Sequence, residues 1–95
     1  MHRDVKPDNV VLTGDARVCQ LIDFGLACEI GAVRFFSGAH RHVAPECKGL
    51  YRVWPSQDVY GFGRTVGGRM ERACTRRRAE ERPAVSDLLN FCGQA

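Results

Sequence analysis

Long hydrophobic segments are absent from this sequence of 95 residues. No apolar run approaches the roughly 18 residues that a membrane-spanning helix requires. No signal-peptide pattern of a basic stretch, an apolar core and a small-residue cleavage site is present either. The sequence therefore predicts a soluble protein without a membrane partner, located inside the cell in the cytoplasm.

Paired cysteines are also missing. The five cysteines are odd in number, scattered and free of any C-x-x-C pair: Cys19, Cys28, Cys47, Cys74 and Cys92. Small secreted domains usually carry an even number of cysteines joined as disulfides, whereas scattered single cysteines are typical of proteins in reducing compartments. We therefore expect reduced thiols inside a cell.

A strong excess of one charge is lacking, since the net charge is only +3. Arginines 72, 76, 77 and 78 nevertheless form a cluster of the kind that attracts nucleic acid or acidic peptides. The neighbouring Glu71, Glu80 and Glu81 favour a solvated network of ion pairs instead. Nucleic acid is therefore not the predicted partner, and binding to it would have to be salt-sensitive and weaken when the arginines are replaced.

Three short motifs stand in a fixed order along the chain: HRDVKPDN at residues 2–9, DFG at 23–25 and APE at 44–46. Phosphoryl transfer needs a carboxylate that orients a hydroxyl, together with oxygen ligands for magnesium held in one loop. Asp4 and Asn9 supply these groups, and Asp23 supplies a second carboxylate from another segment. Gly25 suits a sharp turn beside phosphate groups. An ordinary hairpin with solvated charges would not require all three motifs in this order.

Two further strings, DVYGFG at residues 58–63 and ERP at 81–83, complete a pattern that resembles eukaryotic-type protein kinases over nearly the whole chain. The resemblance implies ATP and Mg²⁺ as cofactors and a protein as substrate. It implies Asp4 as the catalytic base and Asn9 and Asp23 as magnesium ligands. Lys6 resembles the lysine that Ser/Thr-specific members place near the transferred phosphate, so serine or threonine hydroxyls are the expected acceptors.

The same resemblance implies supporting roles for other residues. His2 and Phe24 resemble members of the hydrophobic stack that links the two lobes, and Asp58 resembles the carboxylate that holds the backbone of the catalytic loop. Glu46 and Arg82 resemble the buried ion pair of the family. Arg3 resembles the arginine that receives an activating phosphate. Ser37, which carries the only hydroxyl group in the segment from Leu26 to Val43, is the candidate phosphorylation site.

Several parts of the family pattern are not found. The sequence has no G-x-G-x-x-G loop, no Val-Ala-x-Lys strand and no following helix with a paired glutamate, the parts that hold the nucleotide phosphates. We therefore expect a C-terminal-lobe fragment that lacks the N-lobe, with Met1 an internal methionine, and that needs the missing N-lobe or a partner chain. The alternative is a truly truncated product that acts as a non-catalytic protein-binding module or is a gene relic.

Two departures from the family pattern affect the remaining segments. Only eighteen residues separate Gly63 from Arg82, where the family has several dozen, and Ala39 stands where a threonine usually bonds to the base and the lysine. This weakens the expected hydrogen bonding around Asp4. A zinc site at residues 40, 42 and 47 is less favoured than solvated histidines, because kinase-like activation segments need no metal ligands there.

The apolar pattern predicts an α+β fold that is mainly α. Short apolar runs at residues 10–12 and 17–22, on either side of the turn signal at 13–15, predict an antiparallel hairpin. Helical spacing predicts a central helix over about 58–74 and a last helix over about 84–92. Gly67 and Gly68 would cost the central helix roughly 1 kcal/mol each. We expect one partial kinase domain over residues 1–95, with the catalytic loop at 2–9, the magnesium-binding motif at 23–25 and the activation segment at 23–46.

Overall fold

The computed structural model describes residues 1–12, 14 and 19–88. Four short strands are followed by two helices: β1 Val10–Leu12, β2 Cys19–Leu21, β3 Val33–Phe36, β4 Gly49–Arg52, α1 Pro55–Val66 and α2 Gly68–Cys74. Single 3₁₀ turns at Pro7–Asn9 and Ala79–Glu81 precede β1 and follow α2. The α+β composition is confirmed, and the assignment to a C-terminal lobe stays a prediction. Within the described residues, no helix is long and apolar enough to cross a bilayer.

The hairpin predicted between the catalytic loop and Asp23 is confirmed. Strands β1 and β2 pair antiparallel, with Val10 opposite Leu21 and Leu12 opposite Cys19. Just beyond the ladder, the Ile22 N–H donates to the Asn9 carbonyl at 2.9 Å. The hairpin therefore brings the end of the catalytic loop next to the segment that begins with Asp23.

A second antiparallel hairpin, β3 with β4, lies partly within the predicted activation segment and was not predicted. Val33 pairs with Arg52, and Phe36 pairs with Gly49. The twelve residues between the strands carry the APE motif. This hairpin closes the activation segment into a loop whose two ends are joined by backbone hydrogen bonds.

The prediction of one central helix over 58–74 is wrong. The helix α1 begins earlier, at Pro55, where the Gln57 side-chain oxygen accepts a hydrogen bond from the Trp54 N–H at 3.0 Å. It ends at Val66, and Gly67 and Gly68 follow with φ 70° and 61°. Both glycines adopt the left-handed region that residues with a Cβ disfavour. They therefore separate two helices and do not weaken the interior of one.

The last predicted helix is described only at its start. Residues 85–88 are helical, and the Leu88 N–H donates to the Ala84 carbonyl at 3.2 Å. The Asp87 carboxylate accepts a hydrogen bond from the Ala84 N–H at 3.1 Å, which stabilises the first turn. The part of the prediction over 89–92 lies outside the described residues.

The core is small and lies between α1, α2 and the segment that carries the APE motif. Its buried apolar members are Val5, Ala44, Cys47, Val53, Val59, Tyr60 and Cys74. Close packing against α1 depends on glycine, because a Cβ on Gly61 would lie 2.7 Å from the Val5 carbonyl oxygen. The glycine lets the catalytic loop rest directly on the helix backbone.

Candidate active site

The catalytic loop is held from a distance by the carboxylate of Asp58, in the first turn of α1. Its Oδ2 accepts a hydrogen bond from the His2 N–H at 2.8 Å, and its Oδ1 accepts one from the Arg3 N–H at 2.9 Å. Arg3 has φ 73°, a left-handed conformation that is strained for a non-glycine residue. Two hydrogen bonds to a charged carboxylate offset this strain, because they are among the stronger hydrogen bonds in proteins. The loop backbone is therefore fixed by a residue more than fifty positions away.

The His2 imidazole joins this loop to the strand that precedes Asp23. Its Nε2 lies 2.9 Å from the Ile22 carbonyl oxygen, and its Nδ1 accepts a hydrogen bond from the Asp4 N–H at 3.0 Å. Because a carbonyl only accepts, the proton of the neutral ring must sit on Nε2. The ring also packs edge-on against Phe24, with centroids 4.8 Å apart. The predicted pair of His2 and Phe24 is thus in contact.

Asp4, Lys6 and Asn9 converge on one point. The Asn9 Nδ2 donates to the Asp4 backbone carbonyl at 2.8 Å and to the Asp4 Oδ2 at 2.9 Å. The Lys6 Nζ lies 3.7 Å from the Asp4 Oδ1, an ion-pair distance that is too long for a hydrogen bond. The Asp4 side chain is 27% exposed. The carboxylate is therefore held in one orientation by the loop and remains accessible to an incoming hydroxyl.

The residues expected to hold magnesium are Asn9 and Asp23. Because the Asn9 amide nitrogen faces Asp4, its side-chain oxygen lies on the opposite edge of the amide. Asp23 is exposed and has φ 60°, and its Oδ1 accepts a hydrogen bond from the Gly25 N–H at 3.2 Å. A Cβ on Gly25 would lie 3.1 Å from that oxygen, so glycine leaves the carboxylate room. These oxygen donors fit Mg²⁺, which takes one or two protein carboxylates and completes its shell with phosphates and water.

The described residues do not assemble a zinc site. Across residues 1–12, 14 and 19–88, no group of three or more His, Cys, Asp and Glu side chains is placed to hold a metal ion. The rings of His40 and His42 lie 5.4 Å apart in a tilted arrangement. Cys47 is buried, and this burial raises the pKa of its thiol to about 11. Such a thiol stays protonated at neutral pH and is a poor metal ligand.

The Arg3 side chain links three segments. Its Nη1 donates to the Leu26 carbonyl at 2.9 Å, and its Nη2 donates to the Tyr51 hydroxyl at 3.0 Å. Burial alone lowers the pKa of Arg3, but the contacts with Tyr51 and Cys28 raise it above its usual value. Ser37 is exposed directly after β3. The Tyr51 contact was not predicted, and phosphorylation at Ser37 stays a prediction.

The predicted partners Glu46 and Arg82 form a bidentate pair. The Arg82 Nη1 and Nη2 donate to the two Glu46 carboxylate oxygens at 2.7 and 2.8 Å. The remaining N–H groups of the guanidinium donate to the backbone carbonyls of Arg76, Ser56 and Arg77. All five donors of the buried side chain are therefore satisfied, as a buried charge requires.

Because Glu46 must be ionised to form this pair, we expect the folding stability of the protein to fall in acid. Burial alone raises the pKa of the Glu46 carboxyl, but the hydrogen bonds from Arg82, a backbone hydrogen bond and the Arg82 charge together outweigh burial and hold the pKa below its ordinary value of 4.5. The folded state therefore favours the carboxylate, and the stability this provides is present above about pH 4.5 and is lost as the pH falls below it. We expect urea unfolding to show a steeper loss of stability below pH 4.5 in the wild type than in Glu46→Gln. Equal slopes in the two proteins would contradict this role.

A cavity of about 280 Å³ opens beside the Asp4 carboxylate, and its lining includes Lys6, Phe36, His42 and Tyr51. Burial lowers the pKa of His42, and the charges of His40, Arg41 and Lys6 lower it further. The His42 ring is therefore neutral at pH 7. The cavity is large enough to hold an amino-acid side chain beside the Asp4 carboxylate.

Comparison with known proteins decides the family. The family model of the protein kinase domain matches residues 1–87. This chain is a member of the protein kinase family. No solved structure matches this kinase chain.

Several curated kinases are similar to the chain. It is 38% identical, over 99% of its length, to the serine/threonine-protein kinase PknK of Mycobacterium tuberculosis, of which it covers 9%. It is 35% identical, over 70% of its length, to the dual specificity protein kinase zak2 of Dictyostelium discoideum, of which it covers 12%. It is 32% identical, over 70% of its length, to the proto-oncogene serine/threonine-protein kinase mos of Mus musculus, of which it covers 21%. This kinase chain therefore spans about a tenth to a fifth of the length of these relatives.

Proposed function

We propose that this chain carries the catalytic loop of a protein serine/threonine kinase, which transfers the γ-phosphoryl group of ATP to protein hydroxyls. The observation that carries the proposal is the Asp4 carboxylate, which is oriented by the Asn9 amide and faced by the Lys6 ammonium. A loop fastened through Asp58 supplies the rigidity that phosphoryl transfer needs, because catalysis of this reaction is mostly positioning and electrostatic stabilisation. The names of PknK and mos, both serine/threonine kinases, support the acceptor class.

In this mechanism Asp4 orients the acceptor hydroxyl and takes its proton. The Asn9 amide keeps the carboxylate in place while the side chain stays partly open to solvent. Lys6 holds positive charge near the transferring group, where negative charge builds up on the phosphoryl oxygens. The neighbouring cavity receives part of the protein substrate.

Asn9 and Asp23 would hold the magnesium ions that accompany ATP. Bound Mg²⁺ neutralises charge on the phosphates and orients them. The chain contributes oxygen donors on two segments, which the Ile22 to Asn9 hydrogen bond keeps adjacent. An N-lobe or a partner chain would cover the nucleotide. That partner, and the cytoplasmic location, stay predictions.

Phosphate transfer to serine-containing protein, measured with labelled ATP and Mg²⁺, tests this function. We expect Asp4→Asn to lower the rate at least about a hundredfold, because a positioned base contributes roughly 10²–10⁴-fold. Asp8→Asn is the matched control, since Asp8 is an exposed carboxylate in the same loop. Equal rates in Asp4→Asn and wild type would refute the role of Asp4.

The second candidate is a non-catalytic kinase-like module that acts by binding another protein, or a relic. The observation in its favour is the exposure of large apolar side chains, among them Phe24 and Leu50. Exposed apolar surface of this kind commonly marks an interaction site. Absence of any transfer by the wild-type chain would favour this second candidate.

A further inference from the structure

A second cavity, of about 580 Å³, lies between the start of α1 and the residues that follow the Ala79–Glu81 turn. It shares no described lining residue with the cavity beside Asp4. One wall contains Trp54 and Pro55, and the other contains Pro83 and Val85. Its size falls in the range of ligand-binding clefts, and its lining is mostly apolar. We call this cavity the Trp54 groove.

The Trp54 groove leaves large apolar side chains open to solvent. Trp54 is 54% exposed and Val85 is 49% exposed. Exposed apolar side chains that line one cleft commonly mark an interaction surface.

Three consecutive arginines, Arg76, Arg77 and Arg78, directly precede the turn that forms part of the Trp54 groove, and all three are exposed. Arg82 holds the backbone of the first two. The Arg82 Nε donates to the Arg76 carbonyl at 2.7 Å, and the Arg82 Nη2 donates to the Arg77 carbonyl at 3.2 Å. Because Arg82 is buried and also lines the groove, the segment Arg76–Arg78 and the groove are parts of one rigid arrangement.

The neighbouring glutamates form no ion pair with Arg76, Arg77 or Arg78 among the described residues. Glu71 pairs instead with Arg64 at 2.8 Å and with Arg41 at 3.3 Å. In the part of the chain that the structure describes, none of the three arginines forms an ion pair with Glu80 or Glu81. Among the described residues, the expected ion-pair network therefore includes no pair between these three arginines and Glu80 or Glu81. The side chains of Arg76, Arg77 and Arg78 are exposed.

We propose that the Trp54 groove and the segment Arg76–Arg78 together dock a short acidic segment of another protein. An apolar side chain of that segment packs against Trp54 and Val85, and its carboxylates meet the three arginines. Glu80 lines the groove and repels carboxylates inside it, so the acidic residues lie on the arginine side of the apolar anchor. This docking does not depend on Asp4 and holds for a catalytic or a non-catalytic chain.

An acidic protein segment fits this surface better than a nucleic acid. Single-stranded nucleic acid is usually held by several aromatic side chains on which successive bases stack, beside a cationic groove. Trp54 is the one aromatic residue among the described lining residues, and the others include proline, valine and alanine. The apolar lining suits an aliphatic side chain, and exposed guanidinium groups bind carboxylates in bidentate geometry.

Trp54 is the only tryptophan of the chain, so its fluorescence reports on the groove directly. The probe is a synthetic peptide in which one leucine is followed by four glutamates. We expect a saturable change in Trp54 emission. We expect about tenfold weaker peptide binding in the triple variant Arg76→Gln, Arg77→Gln, Arg78→Gln. Three exposed ion pairs are lost, and their small contributions to the binding free energy add up to this factor. The variant should fold, because Arg82 contacts backbone carbonyls of residues 76 and 77, and the substitutions leave these carbonyls in place. Circular dichroism of the variant checks that it folds.

The matched control removes the same charge elsewhere, through Arg34→Gln, Lys48→Gln and Arg69→Gln, three exposed positions. Its peptide affinity should stay within about twofold of wild type. Equal weakening in both triple variants would show unspecific charge attraction and overturn the proposal. So would unchanged affinity when the leucine is replaced by glutamate, absence of any peptide binding, or tighter binding of a single-stranded oligonucleotide of equal charge.

Discussion

The Arg82→Met variant should lose about 3 kcal/mol of unfolding free energy, the lower end of the range for breaking a buried ion pair. The substitution leaves the Glu46 carboxylate without its bidentate partner and removes the donors to three backbone carbonyls. Glu46 is 32% exposed, so water partly replaces the lost contacts, which places the loss at the lower end. Urea denaturation followed by Trp54 fluorescence measures the change.

Arg41→Gln is the control for this result. Arg41 also pairs with a glutamate, Glu71, but its side chain is 63% exposed. Exposed pairs contribute at most about 1 kcal/mol. Because a small domain has only about 5–15 kcal/mol of stability, Arg82→Lys, which keeps a positive charge beside Glu46, serves as a milder variant should Arg82→Met fail to fold at 37 °C. It should show a smaller loss in the same direction, and a loss below about 1 kcal/mol in Arg82→Met would contradict the role of the pair.

Asp58→Ala should have a comparable effect, centred on the catalytic loop. The Asp58 carboxylate accepts the N–H groups of His2 and Arg3, and hydrogen bonds to charged groups contribute roughly 1.5–3 kcal/mol each. Some of this loss is recovered as the freed amides meet water, so we expect a loss of about 3 kcal/mol. Release of the left-handed Arg3 backbone should also loosen the loop.

Amide hydrogen exchange distinguishes loosening of the loop from general instability. Exchange at Arg3 and Asp4 should accelerate about a hundredfold in Asp58→Ala, while amides of α2 should follow only the global change. Asp87→Ala is the matched control, because Asp87 also accepts one backbone N–H, locally and at an exposed site. Exchange at Arg3 that matches the wild type would exclude Asp58 as the residue that fixes the loop.

The sequence predicted the hairpin β1–β2 because a turn signal separates two apolar runs over a short distance. It did not predict β3–β4, because twelve residues separate these strands. Three of the four residues of each strand are exposed, so no alternation of burial marks either one. The pairing of two such strands depends on the tertiary fold around the APE segment.

The break in the predicted central helix shows a second limit of prediction from sequence. Apolar residues continue at helical spacing across Gly67, through Val66 and Met70, so periodicity extended the predicted helix. Periodicity reports which faces are apolar and carries no information on backbone dihedral angles. Two adjacent glycines are unfavourable in a helix, but their positive φ angles are visible only in the structure.

The candidate site was largely predictable because its residues lie in short motifs. Asp4, Lys6 and Asn9 are local in sequence, and the structure brings them together. The hydrogen bond between Arg3 and Tyr51 spans 48 positions and belongs to no motif, so the sequence held no signal for it. The groove at Trp54 was missed for the same reason, since its two walls come from separate segments.

Magnesium-dependent ATP binding to the purified 95-residue chain, measured by titration calorimetry, tests the central claim most directly. We predict binding that requires Mg²⁺, is lost in Asp23→Asn and is retained in Asp8→Asn. ATP binding that is independent of Mg²⁺ and unchanged in Asp23→Asn would contradict the claim that this chain holds a working half of a kinase active site. Absence of any ATP binding would contradict it as well.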